Sequence, residues 1–375
     1  MTHVRCEHCF LSVDVPPLTH RERAMCPRCG NQLLAHRRHN AGLAFAFAVA
    51  GLIFLSLSLP FEFLQFRASG QTHAMDLFSG LLTLSDNDYA SLAIITALGT
   101  LVLPGASLAG IAYLYFQYQY SQPSFVAYRV HVWVQRLLPW SMAEIFLVGT
   151  LVSLIKITSL AEVYFGLSFY AYIAFTICSA CTLLYYEKNE MHGWLSDFYA
   201  GHEFPLNDEQ AQFSIQRTWA LLLTATLLYI PANLLPIMQT NVLGNQQPST
   251  IIGGVRTLWE DGSYPVASII FIASVLVPIT KLVVLAWLNY SVQRQQENLT
   301  HLRALSYRMT ELIGRWSMID VFVVAILVAL IQLGNTLSIY PGPAVLAFCA
   351  VVFITMLAAM TFDSRLIWYR YTNDR

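Results

Sequence analysis

Eight internal stretches of about twenty mostly apolar residues constrain this chain more than any other feature. They lie at roughly 43–64, 91–118, 142–161, 165–186, 216–239, 264–289, 316–334 and 343–362. As helices rising ~1.5 Å per residue, such stretches cross a hydrocarbon layer ~30 Å thick. Lipid offers no partner to an unpaired backbone group, so helices are the natural state of these segments. Charged residues make up only 11% of the chain, against about 25% in soluble domains. The expected fold class is an all-α integral membrane protein with eight transmembrane helices. A net charge of -1 gives no footing to nucleic-acid binding. The polar, Cys-bearing first forty residues do not read as a cleavable signal.

Basic residues orient the spans. Arg37 and Arg38 precede the first, and Arg129 and Arg136 lie in the second connection. Arg294, Arg303, Arg308 and Arg315 lie in the sixth, and Arg365, Arg370 and Arg375 close the chain. The opposite connections carry Arg67 and Arg256 alone. The positive-inside rule then puts both termini in the cytoplasm, and in a bacterium the other face is periplasmic. Trp140, Tyr164, Trp259, Trp316 and Trp368 fit interfacial anchoring.

The chain repeats itself. WSMAEIFLVGTLVSLIKI from Trp140 aligns with WSMIDVFVVAILVALIQL from Trp316, an offset of 176. GLLTLSDNDYASLA from Gly80 aligns with GVRTLWEDGSYPVA from Gly254, and Pro60 falls opposite Pro236. The expected domains are a ribbon at 1–40, a four-helix membrane unit at 41–188, a linker at 189–215 and a second four-helix unit at 216–375. Four is even, so the two units share one orientation as a parallel repeat.

CEHC at Cys6–Cys9 and CPRC at Cys26–Cys29 form two C-x2-C knuckles. Four thiolates at that spacing suit one tetrahedral, structural Zn2+ in a zinc ribbon, with no open position for catalysis. A reducing cytoplasm disfavours disulfides in their place. Cys178 and Cys181 repeat the spacing inside the fourth span, without a second pair, and read as small packing residues.

Of only three lysines, Lys156 and Lys281 are intramembrane, where ionisable groups are expensive and mark functional sites. By depth, Lys281 in VLVPITKLVV faces Asp320 on the following span, while Lys156 is followed by Thr158, Ser159 and Glu162. Glu144 is the repeat counterpart of Asp320, Ser107 that of Lys281 and Gln332 that of Lys156. Thr355 is a further polar group at mid-span. The bland alternative is snorkelling or a static ion pair that fixes packing. PANLLP at Pro231–Pro236 is expected to loosen the fifth helix. Walker, dinucleotide and nucleophile motifs are missing, so the reading is non-enzymatic.

The ribbon, WSMAEIFLVGTLVSLIKI, LLYIPANLLPIM, PSTIIGGVRTLWEDGSYPVASIIFIASVLVPITK, GRWSMIDVF and MTFDSRLIW together resemble the paraquat-inducible protein A family of Gram-negative inner-membrane proteins. The resemblance implies lipid traffic between inner and outer membranes. Such proteins serve a homo-oligomeric periplasmic MCE-domain partner that forms a hydrophobic tunnel, sometimes with an outer-membrane lipoprotein. It also maps the family's intramembrane polar positions onto Lys156, Lys281, Asp320 and Thr355, a set suited to protonation-coupled switching. Two departures stand out. Ser159 replaces an acidic residue found in some relatives, and residues 187–216 contain no cysteine where relatives usually carry a second ribbon. One zinc is therefore expected. The alternatives are a purely structural anchor for the MCE ring and a membrane thiol oxidoreductase using the C-x2-C pairs.

Overall fold

A computed structural model describes residues 2–6, 11–16, 22–30, 32–35, 40–68, 71–86, 90–157, 162–195, 198, 208–242, 245–260, 262, 264–294, 300–330 and 337–368. The chain opens with two small antiparallel hairpins. Strand β1 (Thr2–Arg5) pairs with β2 (Ser12–Val15), and β3 (Arg23–Met25) with β4 (Gln32–Ala35). The rest is mostly helical.

Helix α1 (Asn40–Leu57) leads into a three-stranded antiparallel sheet. Its central strand β5 (Glu62–Ala68) pairs with β6 (Gln71–Asp76) on one side and β7 (Glu162–Phe165) on the other. Helices α2 (Leu77–Asp86), α3 (Ala90–Ala97), α4 (Leu103–Tyr120), α5 (Phe125–Leu137) and α6 (Ala143–Ile157) lie between β6 and β7. Helices α7 (Leu167–Tyr185) and α8 (Lys188–Trp194) follow.

The same order then recurs. After α9 (Asp208–Leu234) comes a sheet centred on β8 (Met238–Val242), flanked by β9 (Asn245–Ser249) and β10 (Leu337–Pro341). Helices α10 (Ile251–Glu260), α11 (Tyr264–Phe271), α12 (Val277–Gln293), α13 (Thr300–Trp316) and α14 (Ile319–Leu330) separate β9 from β10, and α15 (Ala344–Thr361) follows.

Each of the eight predicted spans falls on a helix or a helix pair. By length and composition five helical stretches are long and apolar enough to cross a membrane: Ala90–Tyr120, Phe125–Leu154, Leu167–Tyr185, Ala267–Gln293 and Ala344–Thr361. Ala41–Leu57 is a shorter apolar helix. Helix α9 starts eight residues before its predicted apolar run, with Asp208 and Glu209 in its first turn, where acidic side chains complement the helix dipole. It continues through Pro231 as far as Leu234, so PANLLP does not end it at the first proline.

In each half the connection after the first helix carries two paired strands followed by an amphipathic helix. Both sheets close tightly on the start of the helix that follows them. A Cβ on Gly166 would lie 1.9 Å from the Glu62 carbonyl oxygen, and one on Gly342 would lie 2.0 Å from that of Pro236. Only glycine allows this approach.

Helices α3 and α4 join through a π turn at Leu98–Val102, and α11 and α12 through another at Ile272–Leu276. Proline follows each, Pro104 and Pro278, in the first turn of the next helix. Proline withholds an N–H from the helical ladder, and a π turn widens the ladder where it is broken. A carbonyl in each turn gains a tyrosine donor: Tyr172 Oη donates to Thr100 O at 3.1 Å, and Tyr229 Oη to Val275 O at 3.3 Å.

The halves meet along α6 and α14. Gly149 lets the backbones close up, since a Cβ there would lie 3.3 Å from Phe322 Cβ. Ser153 Oγ donates to Gly149 O at 2.8 Å and approaches Val323 O on the facing helix at 3.4 Å. The Trp140 and Phe353 rings stack at 5.6 Å.

Candidate functional site

The N-terminal hairpins bring three of the four predicted thiols together. The sulfurs of Cys6, Cys26 and Cys29 all lie within 4.8 Å of one another, and Cys6 Sγ is 3.4 Å from Cys29 Sγ. Thiolates at ~2.3 Å around one tetrahedral ion stand at separations of this order. Cys9 lies outside the described residues.

The second knuckle is a tight turn. Gly30 donates its N–H to Cys26 O at 2.9 Å with φ of +68°, a left-handed conformation that glycine adopts without strain. The hydrophobic support is Val15 and Leu33 beside Cys6 and Cys26. That core is too small to hold some forty residues without a metal or other staple, so the cluster suits a structural metal ion.

This small domain touches both halves of the chain. Asn189, on α8, donates its side-chain amide to Leu33 O. Arg308, on α13, reaches Cys29 O at 3.4 Å and Cys29 Sγ at 3.9 Å. Trp368 packs against the core of the N-terminal hairpins, with the Arg28 guanidinium 4.8 Å from its ring centre. A guanidinium beside a cluster of thiolates offsets their negative charge. Nearby, buried Arg303 donates to Ser291 O at 2.7 Å and ties α13 to the end of α12. Burial lowers its affinity for the proton from the ordinary arginine value.

Beside α8 and α13, a cavity of about 510 Å³ opens between the halves, within the ~300–1,000 Å³ range of small-molecule sites. One wall comes from the first half, with Gln135, Leu183, Tyr186 and Lys188. The other comes from the second half, with Lys281, Thr310, Met356 and Met360 among its residues.

Lys281 is 3% exposed, and its Nζ is buried with no hydrogen-bond partner among the described residues. Gly314 makes room for the ammonium, because a Cβ there would stand 3.4 Å from Nζ. The lysine sits on α12 one turn beyond Pro278 and the π turn. That geometry explains how VLVPITK delivers a charged head to a cavity rather than to lipid.

The other predicted polar positions are not drawn into one hydrogen-bonded set among the described residues. Thr355 is buried, but its hydroxyl donates to Val352 O on its own helix at 3.0 Å. Glu144 is exposed in the first turn of α6. Ser107, the counterpart of Lys281, is buried and donates to Pro104 O at 2.8 Å. Ser159 lies outside the described residues, as do the side chains of Lys156 and Asp320.

The structure adds a polar corner that the sequence reading left without a role. His131 is fully buried, with Nδ1 3.0 Å from Tyr186 Oη and Nε2 2.7 Å from Gln135 Nε2. Tyr115 Oη accepts from Glu187 N at 3.2 Å, and Tyr118 Oη donates to Glu190 at 2.9 Å. These bonds fix the bend between α7 and α8 that places Lys188 at the cavity. Histidine and glutamine four apart on a helix, with EKNE after a tyrosine pair, were the available signals.

Comparison with known proteins completes the picture. The family model described as paraquat-inducible protein A matches residues 43–195 and 215–372. The chain is 35% identical to "Intermembrane transport protein PqiA" of Escherichia coli K12, over 98% of this chain and 96% of that protein. It is 28% identical to "Lipophilic envelope-spanning tunnel protein A" of the same organism, over 97% and 90%. A Haemophilus influenzae "Probable intermembrane transport protein" is 26% identical over 99% and 97%. No solved structure matches the chain. With its membrane helices matched in both halves and a relative aligned almost end to end, the chain belongs to the paraquat-inducible protein A family.

Proposed function

We propose that this protein is the inner-membrane component of a system that moves lipid between the two membranes of a Gram-negative envelope. It loads lipid into, or receives it from, a periplasmic MCE-domain tunnel, in some settings with an outer-membrane lipoprotein. The observation that carries this reading is near-full-length kinship with proteins named for intermembrane transport.

In this reading the chain has eight spans in two parallel four-helix units, at 41–188 and 216–375, with both termini cytoplasmic. The recurring order of helices, π turns and sheets supports it. The ribbon at 1–40 holds one structural Zn2+ through Cys6, Cys9, Cys26 and Cys29 and clamps the cytoplasmic ends of the units. The linker at 189–215 holds none. Lys281 and Asp320, with Lys156 and Thr355, form an intramembrane polar set whose protonation is coupled to movement of the units.

The test is a transfer assay. Proteoliposomes carrying the purified chain and its MCE-domain partner are mixed with acceptor vesicles, and movement of a fluorescent phospholipid is followed. Faster transfer than with the partner alone supports the reading. An assembled complex that adds nothing to the rate leaves an anchor and sinks it.

A further inference from the structure

The cavity between the halves has a chemistry that neither the ribbon nor helix packing explains. Lys281 presents to it an ammonium that is buried and has no hydrogen-bond partner among the described residues. Lys188 contributes a second cation on the ribbon side. Leu183, Met356 and Met360 supply apolar wall. A buried ammonium that no described group hydrogen-bonds is disfavoured, and a cavity that keeps one suits an anion.

We propose that this cavity binds the phosphate group of an anionic lipid drawn from the leaflet on the ribbon side. The phosphate lies against Lys281, and the start of an acyl chain lies along Leu183, Met356 and Met360. Three features support the assignment. Gly314 leaves space beside the ammonium that any side chain would fill. Thr310 and Gln135 add neutral hydrogen-bonding groups to the lining, as suits a phosphodiester with a glycerol end. The methionines give a deformable apolar wall, which tolerates chains of different shape. The volume accommodates a headgroup and the upper part of a chain, far less than a whole two-chain lipid, so the tails remain between the helices and the bilayer. The proposal rests on the lipid-transfer reading and narrows its substrate.

The test uses the full chain in nanodiscs of phosphatidylcholine containing phosphatidylglycerol with a photoreactive group near the top of one chain. After irradiation, adducts are mapped by mass spectrometry. Adducts are expected on peptides holding Leu183 and Met356–Met360. Lys281→Met should reduce them roughly tenfold, as for loss of one charge-assisted bond, and Lys281→Arg should retain them. Leu183→Trp fills the cavity without touching the lysine and should also remove them, which guards against a misfolded lysine variant.

Equal labelling by photoreactive phosphatidylcholine, or labelling unchanged in Lys281→Met, overturns the proposal. Loss of the adducts at modest inorganic phosphate assigns the site to a soluble anion and overturns the lipid source. Asp320→Asn separates a local counter-ion from a ligand. Adducts that rise in this variant while falling in Lys281→Met support the anion site, and adducts insensitive to both changes overturn it. If neutral lipid is still transferred while adducts are absent, this site fails and the transport reading stands. If the wild type transfers nothing, that reading fails while the adduct test still reports.

Discussion

Phe146 and Phe322 stand 176 positions apart, and their rings meet nearly at right angles, at 83°, with centroids 5.8 Å apart. That separation is the offset of the internal repeat, so the same position in each half touches its own counterpart. The seam of α6 and α14 thus brings these equivalent positions together, and Gly149 is what allows it to be narrow.

Phe322→Ala should cost about 3–5 kcal/mol, the range for an aromatic removed from a packed core. Gly149→Val should cost about 1–3 kcal/mol by overpacking the same contact. Thermal unfolding of the purified protein in detergent measures both. Melting temperatures equal to wild type in the two variants would contradict a closely packed seam.

Gly166→Ala and Gly342→Ala should each abolish folded protein, because a methyl group at either site runs into backbone. Gly254→Ala is the control, since a Cβ there meets nothing within 4 Å. Size-exclusion profiles of fluorescently tagged variants give the readout. A monodisperse peak for Gly166→Ala at wild-type yield would show that the sheet and the start of α7 are looser than described.

Tyr229→Phe and Tyr172→Phe should each destabilise by about 1–3 kcal/mol, the cost of leaving a π-turn carbonyl without its donor. Hydrogen exchange at 98–102 and 272–276 is expected to rise in the matching variant and stay level in the other half. Uniform change in both halves would mean that the tyrosines act through general packing.

Metal analysis of the purified chain should find one zinc per molecule, and Cys26→Ser should lose it. Arg308→Ala should keep the metal but expose the segment between the ribbon and α1 to limited proteolysis. Retention of zinc by Cys26→Ser would remove that thiol from the ligand set.

Single replacement of Lys281 or Asp320 by alanine should abolish complementation of an envelope-defect phenotype at normal protein level. Complementation by both variants would rule out a switch built on this pair.

The helical skeleton was legible because hydrophobicity dominates it. Runs such as FVVAILVALI leave no alternative in lipid, and their repetition exposed the duplicated order. The thiol spacing likewise located Cys6, Cys26 and Cys29. The two three-stranded sheets were not seen. Residues 62–64 and 238–239 directly follow apolar runs and were absorbed into the ends of spans. Strands β7 and β10 pair with partners about a hundred residues away, and no local pattern announces such a pairing. The π turns were hidden too: Pro104 and Pro278 signal a broken ladder, but only the tyrosine donors reveal how it is mended. The cavity depends on which faces of α5, α7, α12, α13 and α15 converge, which lies beyond the reach of spacing along one chain.

The N-terminal body is gripped by Asn189 at Leu33 and by Arg308 at Cys29, a strand residue and a turn residue of the same β3–β4 hairpin. It thus works as a caliper laid across the two halves. Any motion that parts α8 from α13 must deform that hairpin or release one grip, and Cys26 and Cys29, which bracket its turn, are two of the three thiols that a shared ion would tie together.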